Sequence, residues 1–137
     1  MATLTITKFH SLSEAIAEKV HNLGSDQIVV ALSTVLPTTA NTVLADITQV
    51  SYTNLSTRNV SRTSSTQTSG LYKLILVPLT LTATGAVAPF RYVTLFNDTA
   101  TNDELIGFGD LGATTTLASG DSVVLTWDAV NGAISLT

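Results

Sequence analysis

Cysteine is missing from this chain altogether. That excludes disulfides and thiolate zinc sites, and it fits folding in a reducing cytosol. Charge is also scarce, at 12% of the 137 residues, against about 25% in an average soluble protein. Six Lys and Arg against ten Asp and Glu leave a net charge of −4. The six are scattered, so no phosphate-tracking surface is expected and nucleic acid is not an expected partner. No apolar run approaches the ~18 residues of a membrane span, so no membrane partner is expected either. The N-terminus has no basic region followed by an apolar core, so no secretory signal is expected. Aromatic residues make up only 6%, too few for the exposed stacking platform of a typical carbohydrate site.

Ser and Thr fill the gap left by charge. Thr suits strands because its β-branch favours extended backbone. With 45% hydrophobic residues and so little charge, the chain reads as a β-protein that covers part of its surface with something else. Uncharged β-surface is adhesive, and free monomers normally guard their edges with charge. An ordinary Thr-rich sandwich accounts equally well for the same composition.

The richest stretch is Leu71 to Leu111, which holds Phe90, Phe96, Phe108, Tyr72 and Tyr92. Leu71, Ile75 and Val77 face one side of a strand while Tyr72, Leu74 and Leu76 face the other. A strand apolar on both sides predicts a central place in a sheet, buried on both faces. Phe90 to Phe96 predicts a second strand, ended by the Asn97-Asp98 turn, and Glu104 to Phe108 a third. The three are expected to run as a meander at the middle of the sheet.

Earlier in the chain, Ser11-Leu12-Ser13-Glu14 has the capping-box pattern. Leu12, Ala15, Ile16, Val20 and Leu23 recur at helical spacing up to Gly24, predicting a helix over Leu12 to Leu23. Gln27 to Ser33 predicts a strand; Asn41 to Asp46 a connection or short turn; Ile47 to Tyr52 a further strand. Ala113 to Leu117, Ser122 to Trp127 and Ala133 to Leu136 predict the last three, with Asn131-Gly132 as a hairpin-type turn. The sum is a mainly β fold: one domain over residues 1–137, an antiparallel β-sandwich or flattened barrel of eight or nine strands, with one short N-terminal α-helix. Residues 1–7, with Leu4 and Ile6 alternating with Thr3, Thr5 and Thr7, form a short first strand or an arm. Residues 55–70 form an edge strand with a flexible loop, or a segment ordered by a partner.

No catalytic constellation emerges, and no enzyme activity and no cofactor are expected. Gly107-Phe108-Gly109-Asp110-Leu111-Gly112 matches the dinucleotide fingerprint by letter. The residues after it make a poor helix and there is no room for a βαβ unit, so turn glycines and strand bulges explain it. Asn97, Asp98, Asn102, Asp103, Glu104 and Asp110 could offer oxygens to Ca²⁺, but their spacing is not that of an EF-hand, and Asn and Asp favour turns anyway. His10 and His21 flank the helix without further ligands nearby; both read as surface or helix-end residues. The sequons at Asn54, Asn59 and Asn97 are explained by chance in so Ser/Thr-rich a chain. Trp127, alternating with Val123 and Leu125, reads as core. Arg58 and Arg62 are the candidates for contact with an acidic neighbour, because Arg pairs bidentately with carboxylates, although a solvated pair is an equal reading.

The segments AEKVHNLGSDQIVVALST, NTVLADITQVSYTNLSTR, SGLYKLIL, PFRYVTLFNDTA and LIGFGDLG, in that order, resemble a set of small proteins encoded by tailed bacteriophages among their head-assembly genes, near the major capsid protein. The polar Thr57 to Ser69 stretch departs from that pattern. The resemblance implies a virion structural protein, foremost a capsid decoration (cement) protein on the outer head surface. It would fold in the host cytoplasm, bind the major capsid protein and assemble as a homo-oligomer, with a trimer favoured. Thr3, Thr5, Thr7, Arg58 and Arg62 are the expected partner contacts. A tail, collar or fibre-attachment protein is the alternative within that class. A carbohydrate or cell-surface binding module, with Ca²⁺ in the Asn97 to Glu104 loop, is the alternative outside it.

Overall fold

Runs of β-branched and aromatic residues become strands here, and the architecture follows from which of their faces find cover. A computed structural model describes residues 2–137; Met1, the first residue of the expected arm, lies outside them. In chain order the elements are β1 (Ala2–Leu4), β2 (Thr7–Lys8), α1 (Leu12–Ala17), β3 (Ile28–Ser33), a 3₁₀ turn (Leu44–Asp46), β4 (Asn59–Val60), β5 (Arg62–Thr68), β6 (Leu71–Leu76), β7 (Leu79–Thr82), β8 (Phe90–Asn97), β9 (Leu105–Thr115), β10 (Ser122–Trp127) and β11 (Ile134–Leu136). They form a five-stranded sheet, β2-β9-β8-β3-β4, and two three-stranded sheets, β1-β10-β7 and β11-β6-β5. No sheet closes into a barrel, and the fold is a mainly β, sandwich-like arrangement with one short helix. Among the described residues, β1 on β10 is the one parallel pairing in an otherwise antiparallel set.

One hydrophobic cluster draws on all three sheets: Val30, Leu32, Val93, Leu95 and Ile106 from the five-stranded sheet, Leu74, Leu76 and Ile134 from the second, and Leu81, Leu125 and Trp127 from the third. Trp127 is core, as its alternation with Val123 and Leu125 predicts, and its indole N–H donates to the Val77 carbonyl at 3.0 Å. A smaller cluster of Phe9, Val29, Ala31, Ile47, Phe96 and Leu105 covers the opposite face of the five-stranded sheet.

That second cluster overturns the expected centre. The strands buried on both faces are β3 and β8, which are neighbours in the middle of the five-stranded sheet. β6 is central only in a three-stranded sheet. Leu74 and Leu76 are buried, whereas Leu71 and Ile75 on the other face are half-covered and Val77 is 41% exposed. The expected meander is likewise corrected: β8 pairs with β9, but its other neighbour is β3, not β6. Glu104 to Phe108 and Ala113 to Leu117 are not two strands; most of both fuse into the eleven-residue β9. Ile47 to Tyr52 makes a single bridge, Ser33 to Gln49, in place of a strand. Gly132 turns the chain at a positive φ of 89°, yet β10 and β11 diverge into different sheets, so no hairpin forms there.

The helix is shorter than its apolar spacing predicts. It stops at Ala17 because Lys19 adopts the left-handed region at φ 65°. The N–H of Lys19 donates to the Ile16 carbonyl and that of Val20 to the Ala15 carbonyl, which is the Schellman termination with Lys standing where glycine is usual. Ser11 takes a helical backbone conformation and its side chain makes no capping bond, so the capping box is not realised. Leu23 still reaches the core, but from irregular chain.

Candidate functional site

Two arginines were candidates for reaching outward, and the fold turns both inward. Arg58 donates to the Val30 carbonyl and lies 3.6 Å from the ring centroid of Tyr52. The Tyr52 hydroxyl in turn accepts the Leu32 N–H at 3.0 Å and donates to Gln49 at 2.6 Å. Burial raises the Tyr52 phenol above its ordinary value, against the Leu32 bond and the Arg58 charge. Arg62 donates to the Asp26 carbonyl, and its Nε is buried without a partner. Guanidinium groups beside a sheet end with free carbonyls satisfy those carbonyls first, because a buried unpaired acceptor costs more than a solvated charge pair gains. Each arginine engages a carbonyl of its own chain.

The three threonines of the N-terminal segment lie on the outside, as their alternation with Leu4 and Ile6 requires. Thr3 shares a 2.7 Å hydrogen bond with Thr126 across the β1–β10 pair, and Thr7 sits opposite Phe108 on β9. Leu4 is buried and Ile6 packs against the core. The segment is tied into the chain's own sheets as β1 and β2. Thr3 and Thr5 border a cleft of about 400 Å³ together with Lys8, Trp127, Asp128 and Ser135. Its polar groups already have internal partners: the Lys8 ammonium on the Ser135 carbonyl, and the Asp128 carboxylate on the N–H groups of Val130 and Asn131. Those bonds, those to Asn131 foremost, hold the Asp128 carboxyl below the usual range.

Two of the residues considered for Ca²⁺ are drawn elsewhere by the fold. Asn97 points inward, and Asp110 pairs with Arg91 at 2.9 Å on the sheet surface, which lowers its pKa. Burial, then the charges of Asp98 and Glu104, raise the Asp103 carboxyl. Among the described residues no three His, Cys, Asp or Glu side chains converge as a metal-holding group. The glycines of Gly107 to Gly112 lie within and at the bend of β9. Gly107 and Gly109 let residues 4–7 cross close above it, which is close-packing chemistry with no helix N-terminus to receive a phosphate.

The feature suited to a partner is an edge. β5 has seven residues and a single neighbour, β6; every other edge strand is shorter, at two to four residues. Among the described residues its backbone makes no hydrogen bond outside that ladder. From Thr63 to Gly70 no residue is charged, and Thr66, Gln67 and Thr68 are exposed. An antiparallel ladder turns alternate N–H and C=O groups away from its partner, so this edge offers unpaired backbone to another strand. The sequence signal was present in the uncharged Ser/Thr run, one of whose two readings was an edge strand. What the sequence missed was His21: expected at the surface or at the helix end, it is buried at 6% exposure and bonded to Asn97. The helix that was to carry it outward ends four residues earlier, and the chain then folds back toward Asn97.

No protein-family model matches this chain, and neither does any curated protein or solved structure.

Proposed function

We propose that this protein is a structural component of a bacteriophage virion, a decoration protein that binds the outer head surface and stabilises the capsid lattice. The reading starts from the resemblance of its segments to small phage head-gene products. The observation that carries it further is the open edge of β5, uncharged from Thr63 to Thr68, the kind of edge that monomeric β-proteins blunt with charge, proline or short length. Strand addition at such an edge supplies main-chain hydrogen bonds, and an oligomer presenting several copies converts modest contacts into lasting attachment. A homo-oligomer, with a trimer favoured, and the major capsid protein are the partners in this reading, and the virion is its location. The chain would act without a cofactor and without catalysis. Thr3, Thr5 and Thr7 remain available as outward contacts, whereas Arg58 and Arg62 act as internal supports.

The test is the copy number of this polypeptide in purified virions relative to the major capsid protein, by quantitative gel densitometry. A number comparable to the capsid protein's supports decoration. A handful of copies moves the protein to the neck or tail, and absence from the particle overturns the virion reading.

A further inference from the structure

His21 sits in a hydrogen-bonded triad whose polarity is set by backbone. Asn97 is fully buried, and its side-chain oxygen accepts the N–H groups of Thr99 at 3.0 Å and Ala100 at 3.1 Å. The amide nitrogen is therefore the atom that faces the other way. Its two hydrogens go to Oδ2 of Asp26 at 2.7 Å and to Nδ1 of His21 at 2.9 Å. Nδ1 must accept, so the ring is neutral with its proton on Nε2. Nε2 itself is buried without a sound hydrogen bond.

A second proton on Nδ1 would set one N–H against another. Asn97 cannot turn over to relieve this without losing Thr99, Ala100 and Asp26 together. The charged groups facing the ring are Asp26 on its own segment and Glu104 at the approach to β9; Lys19 borders the cleft beside it. Both carboxylates favour the imidazolium, as does the Leu105 backbone, but burial outweighs them and holds His21 below its ordinary range.

We propose that His21, Asn97 and Asp26 form an acid-sensitive latch that ties residues 20–27 to the turn at 97–104 and opens when His21 is protonated. The same stretch holds further ties that would loosen with it: Gln27 N–H to Thr99 Oγ1, Asp98 N–H to the Gln27 carbonyl, and the Arg62 guanidinium to the Asp26 carbonyl. The last of these docks the start of β5, so the latch reaches the open edge. The inference does not depend on the virion reading.

The sign follows from linkage. In the open state His21 titrates near its ordinary value of about 6.5, and in the closed state lower. The latch is at full strength above that ordinary value. It weakens as pH falls through the interval between the two, with the open population rising by up to about tenfold per pH unit.

The test is an NMR titration of the wild-type imidazoles, combined with amide exchange measured as protection factors from pH 8 to pH 5. The expected result is a His21 midpoint below the ordinary imidazole value of about 6.5, with Nδ1 unprotonated at pH 7. Protection at residues 20–27 and 98–104 should fall on acidification while β3 and residues 90–96 of β8 keep theirs. The His21→Gln variant, which can accept the Asn97 bond but cannot titrate, should lose that selective pH dependence, and His10→Gln should retain it. If His21→Gln does not fold, the wild-type titration and exchange profile decide alone. A His21 midpoint at or above that ordinary value, or a loss of protection shared equally by β3 and β8, would overturn the latch.

Discussion

At Gly107 an added methyl group would stand 2.5 Å from Cγ2 of Ile6 and 3.0 Å from the Thr7 carbonyl oxygen. The side chain could shift, but the carbonyl belongs to a strand paired with β9. Gly107→Ala is therefore expected to destabilise the fold by about 1–3 kcal/mol, the range for forcing extra atoms into packed structure, read as a lower midpoint in urea unfolding. Gly120→Ala is the control: it meets open space, although its φ of 88° carries its own strain. At this scale the sequence is informative about local backbone geometry. A G-x-G-x-x-G pattern without a following helix predicts turn glycines and strand bulges; Gly112 has the positive φ of a turn, whereas Gly107 and Gly109 serve close packing against residues 4–7. The sequence is uninformative about where a polar side chain finds its partner. Arg58, Arg62, His21 and Asn97 each bond to residues 28 to 76 positions away, and nothing in a local pattern encodes such a distance.

The helix α1 illustrates the element scale. Apolar spacing predicted twelve residues with a stop at Gly24, yet the helix ends after six at a left-handed Lys19. A non-glycine residue in that conformation costs about 1–2 kcal/mol, part of which glycine gives back through the freedom of its unfolded chain. Lys19→Gly is expected to stabilise the protein by about 0.5–1 kcal/mol, seen as a higher urea midpoint with an unchanged slope. No gain would mean that the Schellman turn is not a source of strain. Strands fared better than the helix. Ser122–Trp127 matches its expectation, and β3, β6, β8 and β11 differ by one or two residues at an end, because alternation and β-branching survive any choice of neighbour. The helix stop departs from the glycine because glycine is only the commonest residue for that backbone conformation, and here Lys19 adopts it five residues earlier.

For the whole molecule, the open edge of β5 makes a prediction about association. Thr66 is exposed and lies opposite Lys73 on β6, so Thr66→Glu places a charge on the edge while facing a cation within the sheet. The monomer's stability should stay within about 0.5 kcal/mol of wild type, as for an ordinary surface change. The wild type should sediment as an oligomer and the variant as a monomer. An oligomer of unchanged mass in the variant would exclude β5 as the seam and turn attention to the Thr3 and Thr5 side of the molecule.

The sequence by itself determined that this is a mainly β chain, where most strands lie, that Trp127 belongs to the core, and that the surface is poor in charge. Periodicity and composition carry that information because they report whether each residue faces water, which is a one-dimensional property of the chain. Only the tertiary structure decided which strands are neighbours, and so that β3 and β8, not β6, are covered on both faces. It also decided that the arginines serve internal carbonyls and that His21 is sealed against Asn97. Those outcomes depend on which faces compete for the same cover and on which buried polar groups must be paired. Both are fixed by contacts between residues far apart in the chain.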